Sequence, residues 1–222
     1  MIAATGLRWI LTLLFAAPVG YGVWRAVLPG TRVAERVDHA LHAVMGVLMA
    51  AMAWPWGMDL SAEPQVVLFS AGALWFLSAA PFRAGDRSRR GAVLAAWPHV
   101  VMMGAMAWMV AAMNSSGAMA GHSGAGGMHD MHMADASGLA AMTLSGTGPR
   151  LVAGVLAAVL AGIGLVWLAR ALDRARALDP AARPAPTAPT ARPPGDSVAG
   201  ALALGCHAAM ALGMAVMCVL LV

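Results

Sequence analysis

The sequence predicts an all-α protein: a six-helix transmembrane bundle arranged as three tandem helical hairpins with pseudo-threefold symmetry. Three observations carry that prediction. Hydrophobic residues make up 60% of the 222 residues and charged residues only 11%, where soluble domains carry about 25% charge. Six apolar segments approach the ~20 residues that cross a bilayer. The same histidine–methionine pattern then returns on the second, fourth and sixth of these segments.

The first segment, 7–28, is apolar from Ile10 to Val23. Its Ala16-Ala17-Pro18 is a poor cleavage site, so it reads as a retained helix and not a signal peptide. The second, 34–56, opens amphipathically with Glu35, Arg36 and Asp38 before turning apolar. The third and fourth cover 65–82 and 92–113, the fifth 150–171 and the sixth 198–222. All belong to one integral membrane domain, 1–222, interrupted by two loops of distinct composition. Residues 114–149 are rich in His and Met among glycines and serines. Residues 173–197 hold six prolines, Pro180 through Pro194, which favour an extended linker.

Charge sets the expected topology. Lysine is absent. Arg25, Arg32, Arg36, Arg83, Arg87, Arg89, Arg90, Arg170, Arg174, Arg176, Arg183 and Arg192 fall on one side, and only Arg8 and Arg150 on the other. The positive-inside rule makes the first side cytoplasmic, with the Pro-rich linker there, the His/Met-rich loop outside and both termini extracytoplasmic at the plasma membrane. The net charge of +4 therefore serves topology and implies no nucleic acid. Cys206 and Cys218 stand ~18 Å apart on one helix, too far for a mutual disulfide.

The repeated cores read HAVMGVLMAAM, HVVMMGAMAWM and HAAMALGMAVM. Each histidine is followed by methionines at +3, +7 and +10: His42 by Met45, Met49 and Met52; His99 by Met102, Met106 and Met109; His207 by Met210, Met214 and Met217. At 100° and 1.5 Å per residue, each set forms a stripe on one helical face. An odd-numbered helix with a tryptophan near its cytoplasmic end (Trp24, Trp75, Trp167) precedes each stripe, as tandem hairpins require. With 18 methionines in 222 residues, a histidine meets all three offsets by chance roughly once in two thousand trials, before local enrichment is counted.

Thioethers are soft neutral donors suited to Cu(I), and imidazole suits copper as well. Methionine also fills gaps between helices, so packing alone explains part of the pattern. Histidine within a membrane is costly and marks function. In the outer loop His129, Met131, His132 and Met133 form the densest ligand cluster. His39 lies one turn before the second-helix stripe, and Cys218 follows His207 by eleven residues as a further thiol. Glu35, Asp38, Asp59 and Glu63 read as loop charges.

The stretch from His39 through Trp54-Pro55, the WPHVVMMGAMAWM segment and the final CHAAMALGMAVM segment resemble an actinobacterial multi-pass membrane family of unassigned function. That resemblance implies the architecture and no activity. Separately, Met45-x3-Met49, Met102-x3-Met106 and Met210-x3-Met214 look like the paired-methionine motif of the eukaryotic high-affinity copper uptake family, a convergent use of one motif. That family implies stacked methionine triads along a central pore. This chain departs from it in having six helices and histidines beneath the methionines.

The expected function is thus binding of Cu(I), with translocation along the stripes as its extension. The partners are the bilayer and an extracytoplasmic copper donor, and nothing specifies an oligomeric state. Two alternatives stand beside it: a b-type haem protein with axial His or Met ligands, and an accessory or scaffold membrane subunit with no cofactor. No enzyme is expected, because no Walker loop, dinucleotide fingerprint or catalytic triad spacing is present.

Overall fold

The computed structural model describes residues 5–83, 88–115, 146–178 and 194–222, with no side-chain detail at 58–59, 83 and 194–197. These residues form six α-helices and, among the described residues, no strand. The helices are α1 (Thr5–Val27), α2 (Val33–Met52), α3 (Ala62–Ala79), α4 (Arg89–Ser115), α5 (Thr147–Arg176) and α6 (Pro194–Val219). Short 3-10 turns lie at Pro55–Asp59 and Pro81–Arg83. The outer-loop cluster His129, Met131, His132 and Met133 and linker residues 179–193 fall outside the described residues.

Boundaries follow local chemistry. Helix α2 stops at Met52, earlier than expected, because Pro55 disfavours helical backbone in the residue before it. Trp54 is accordingly extended, with φ −107° and ψ 152°. Pro18 in α1 and Pro98 in α4 each remove one helical N–H without ending the helix, which bundled membrane helices tolerate.

Among the described residues, four helices are long and apolar enough to cross a membrane: Thr5–Val27, Arg89–Ser115, Thr147–Arg176 and Val198–Val219 within α6. The expectation of six spans is met by these four on length and hydropathy, while α2 and α3 fall short on composition. Helix α2 carries Glu35, Arg36 and Asp38, and α3 opens with Glu63, Pro64 and Gln65. Their 20 and 18 residues still reach ~30 and ~27 Å, close to the hydrocarbon thickness. Large exposed apolar side chains such as Ile10, Leu13, Leu94, Val155 and Leu165 form the lipid-facing surface.

Sequential helices pair most extensively, α1 with α2, α3 with α4 and α5 with α6, and α1 also packs on α6. The three hairpins expected from the repeat are present. Small residues let the helices close. A side chain at Gly22 would meet the His39 carbonyl at 3.0 Å and one at Gly164 would meet Leu212 at 2.7 Å, while Gly213 faces the ring of fully buried Phe15. Close backbone approach of this kind lets membrane helices gain dispersion contact without a hydrophobic drive. At one end Trp54 Nε1 donates to Thr12 Oγ1 at 3.0 Å and Trp54 meets Trp9 edge-on. At the arginine-rich end Tyr21 donates to the Ala199 carbonyl at 3.3 Å and Trp75 Nε1 to Asp38 Oδ1 at 2.9 Å.

Candidate metal site

All nine stripe methionines are buried in one contiguous core. Met45, Met49, Met102, Met106 and Met214 have no exposed surface at all. The stripes therefore turn inward, toward one another's helices and away from lipid. Met103 is equally buried but stands about 100° off the α4 stripe, and its sulfur approaches Gly72 of α3. It belongs to the hairpin interface.

Below the methionines the three histidines meet. One ring nitrogen from each of His42, His99 and His207 lies within 4.8 Å of the others. Their ring centroids form a nearly equilateral triangle, 5.2, 4.8 and 4.9 Å on a side, with interplanar angles of 87°, 86° and 86°. The three rings are thus disposed almost symmetrically about a common point.

The surroundings hold the rings in place. Phe76 of α3 stacks on His99 at 5.2 Å and meets His42 edge-on at 5.3 Å. Trp167 of α5 lies 5.3 Å from His99 and 5.2 Å from His207. His42 Nδ1 donates to the Asp38 carbonyl one turn back, at 2.7 Å, and His207 is hydrogen-bonded to the backbone of Ala203, also four residues earlier. The Asp38 carbonyl has no proton to give, so the bond fixes His42 as the Nδ1–H tautomer. Its Nε2 is left as a buried acceptor with no hydrogen-bond partner. Asp38 is in turn gripped by Trp75. This is the outer-shell support that metal-binding imidazoles require.

The triangle has the dimensions of a three-coordinate site that is slightly open. Nitrogens 4.8 Å apart lie at most ~2.8 Å from a common centre, and metal–nitrogen bonds run ~2.0–2.1 Å. Each ring would have to move inward by under ~0.8 Å to reach that bond length.

A cavity of about 280 Å³ reaches the triangle from the arginine-rich end. Its lining includes Glu35, Asp38, His39, Ala92, Ala96 and the three histidines. Reading Glu35 and Asp38 as loop charges is therefore corrected: both sit on α2 and face this cavity. His39 also lines it, beside Tyr21 at 6.0 Å. Cys218 is buried eleven residues beyond His207, ~16 Å along α6 and remote from the triangle. The sequence also left Phe76 and Trp167 out of the site. The repeat did flag Trp75 and Trp167 by position, but the third member, Trp24, is half exposed and takes no part.

A family model described as Domain of unknown function (DUF5134) matches residues 34–221. The chain belongs to this family. The chain is also 40% identical over 117 residues to the uncharacterized protein Rv0970 of Mycobacterium tuberculosis (strain ATCC 25618 / H37Rv). The uncharacterized protein Mb0995 of Mycobacterium bovis matches at the same identity. Each alignment covers 51% of this chain and 53% of the relative, so the chain spans about half the length of the curated relatives it matches. No solved structure matches it. The resemblance to an actinobacterial multi-pass membrane family of unassigned function is borne out, whereas none of these matches carries the likeness to copper uptake proteins. The histidine triangle, all nine stripe methionines and the two cavity carboxylates lie inside the family-matched region.

Proposed function

We propose that this membrane protein binds Cu(I) at His42, His99 and His207 and passes it along the methionine column above them. The observation that carries the reading is the convergence of three imidazoles within 4.8 Å at the foot of nine buried thioethers. Imidazole alone would suit Zn(II) equally, and the sulfur column is what favours a soft monovalent ion. Neutral ligands replace lost hydration without trapping the ion, as transit through several weak sites demands. Rings this closely packed, with Phe76 and Trp167 filling two sides, suit a single ion better than a porphyrin.

In this reading the arginine-rich end faces the cytoplasm and both termini lie outside the plasma membrane. The outer-loop residues His129, Met131, His132 and Met133 collect copper from an extracytoplasmic donor. Tiers at Met52/Met109/Met217, Met49/Met106/Met214 and Met45/Met102/Met210 then connect that loop to the histidines. The activity is capture and transfer of an ion, with no bond made or broken in a substrate.

The test is copper content. The purified full chain, loaded anaerobically, is expected to retain Cu(I) against a chromogenic chelator. The triple variant His42→Ala/His99→Ala/His207→Ala is expected to lose its tightest-held copper. Equal retention by both proteins contradicts the assignment.

A further inference from the structure

We propose that the histidine triangle exchanges its ion with the arginine-rich end alone in this conformation, through an acid-lined vestibule, while the methionine column stays shut. The inference rests on the copper reading and adds to it a route and an entrance.

Burial differs sharply along the axis. Above the triangle, Met45, Met49, Met102, Met106 and Met214 are wholly inaccessible, and at the far end Met52, Met109 and Met217 remain at 6%, 1% and 9%. Below it, the 280 Å³ cavity runs to the ends of α2, α3 and α4. At ~30 Å³ per water it has room for several solvent molecules, enough for a partly hydrated ion. His42, 5% exposed, lines this cavity, and its Nε2 is the unpartnered buried acceptor.

The mouth has the right charge for a cation. Among the described residues its lining includes Glu35 and Asp38 and no arginine; Arg25, whose charge acts on His39, stands outside that lining. Arg36 is turned aside: its guanidinium donates to Thr31 Oγ1 at 2.9 Å and to the Leu28 carbonyl at 3.3 Å. Asp38 is held by Trp75, which leaves Glu35, on the exposed face, as the carboxylate able to follow an arriving ion. Low-dielectric walls around such charges focus the field and raise the local cation concentration. His39, one turn before His42, offers a further imidazole on the way in.

The test uses the full chain in lipid nanodiscs, supplied anaerobically with chelator-buffered Cu(I), and measures loading rate and final occupancy separately. Ala96→Leu fills the vestibule beneath the triangle, and Glu35→Gln removes one carboxylate without altering an imidazole. Ala95→Leu, at an exposed lining position, is the second occluding variant should Ala96→Leu fail to fold. Each is expected to slow loading by about tenfold, with final occupancy as in the unaltered protein. Ala112→Leu, which adds equal bulk near the opposite end of α4, is expected to load at the unaltered rate. Unchanged rates in the vestibule variants overturn the route and leave the copper site standing. Slowing by Ala112→Leu alone assigns entry to the other end and also overturns it. No saturable Cu(I) on the unaltered protein overturns site and route together.

Discussion

His42, His99 and His207 border a cavity, whereas the methionines one turn further along the same three helices are almost wholly cut off from solvent. The two regions share their helices, their repeat and their inward direction. They differ in what the side chains need. A thioether is content in an apolar core and packs like leucine. An imidazole carries a donor and an acceptor that burial must satisfy, and here the backbone satisfies one while the other faces its two counterparts. Packing is enough to bury the methionine column. Nothing in packing alone calls for the triangle.

That difference can be broken by substitution. The largest effect belongs to the column: Met49→Ala, Met106→Ala and Met214→Ala together remove three fully buried side chains. At about 2–5 kcal/mol each, the triple variant is expected to lose its cooperative helical melt in detergent. The matching Met→Leu triple keeps the volume, costs under ~1.5 kcal/mol per site, and is expected to melt as a folded protein. Lost copper transfer in that folded variant would show that sulfur matters beyond shape.

The triangle responds in the opposite sense. His42→Ala takes away one of three converging imidazoles, and Cu(I) affinity is expected to fall by more than the roughly 10–100-fold typical of outer-shell changes. Chelator competition measures it. The helical melt should shift far less than in the Met→Ala triple, since the cavity already borders this ring. A large loss of stability with intact affinity would mean that His42 is a packing residue like the methionines.

The smallest effect comes from the support. Trp75→Phe deletes the hydrogen bond to Asp38 and so loosens the carbonyl that orients His42. About 1 kcal/mol of stability and about tenfold in Cu(I) affinity are the expected losses, read by melting and by chelator competition.

The stripes were legible in the sequence because the offsets +3, +7 and +10 define one helical face whatever the tertiary structure. Their burial followed from the repeat, and the three hairpins from the alternation of stripe-bearing and plain helices. The supporting residues were not legible for physical reasons. Phe76 is an apolar residue in an apolar helix, so composition gives it no contrast, and the repeat marks the position of Trp167 without its contact with His99 and His207. Asp38 looked like a loop charge because the start of α2 is amphipathic, and only the fold reveals that Trp75 reaches it. Tryptophan position misled at Trp24, which is half exposed, while Tyr21 of the same helix lies against His39. The six-span count was blurred by the polar starts of α2 and α3, where hydropathy and function pull against each other.

X-ray absorption of the full chain carrying substoichiometric Cu(I) tests the central claim most directly. Nitrogen scatterers at ~2.0 Å, lost in the triple histidine-to-alanine variant and retained in the triple methionine-to-leucine variant, are the predicted result. A sulfur-only shell, unchanged when all three histidines are removed, would contradict it.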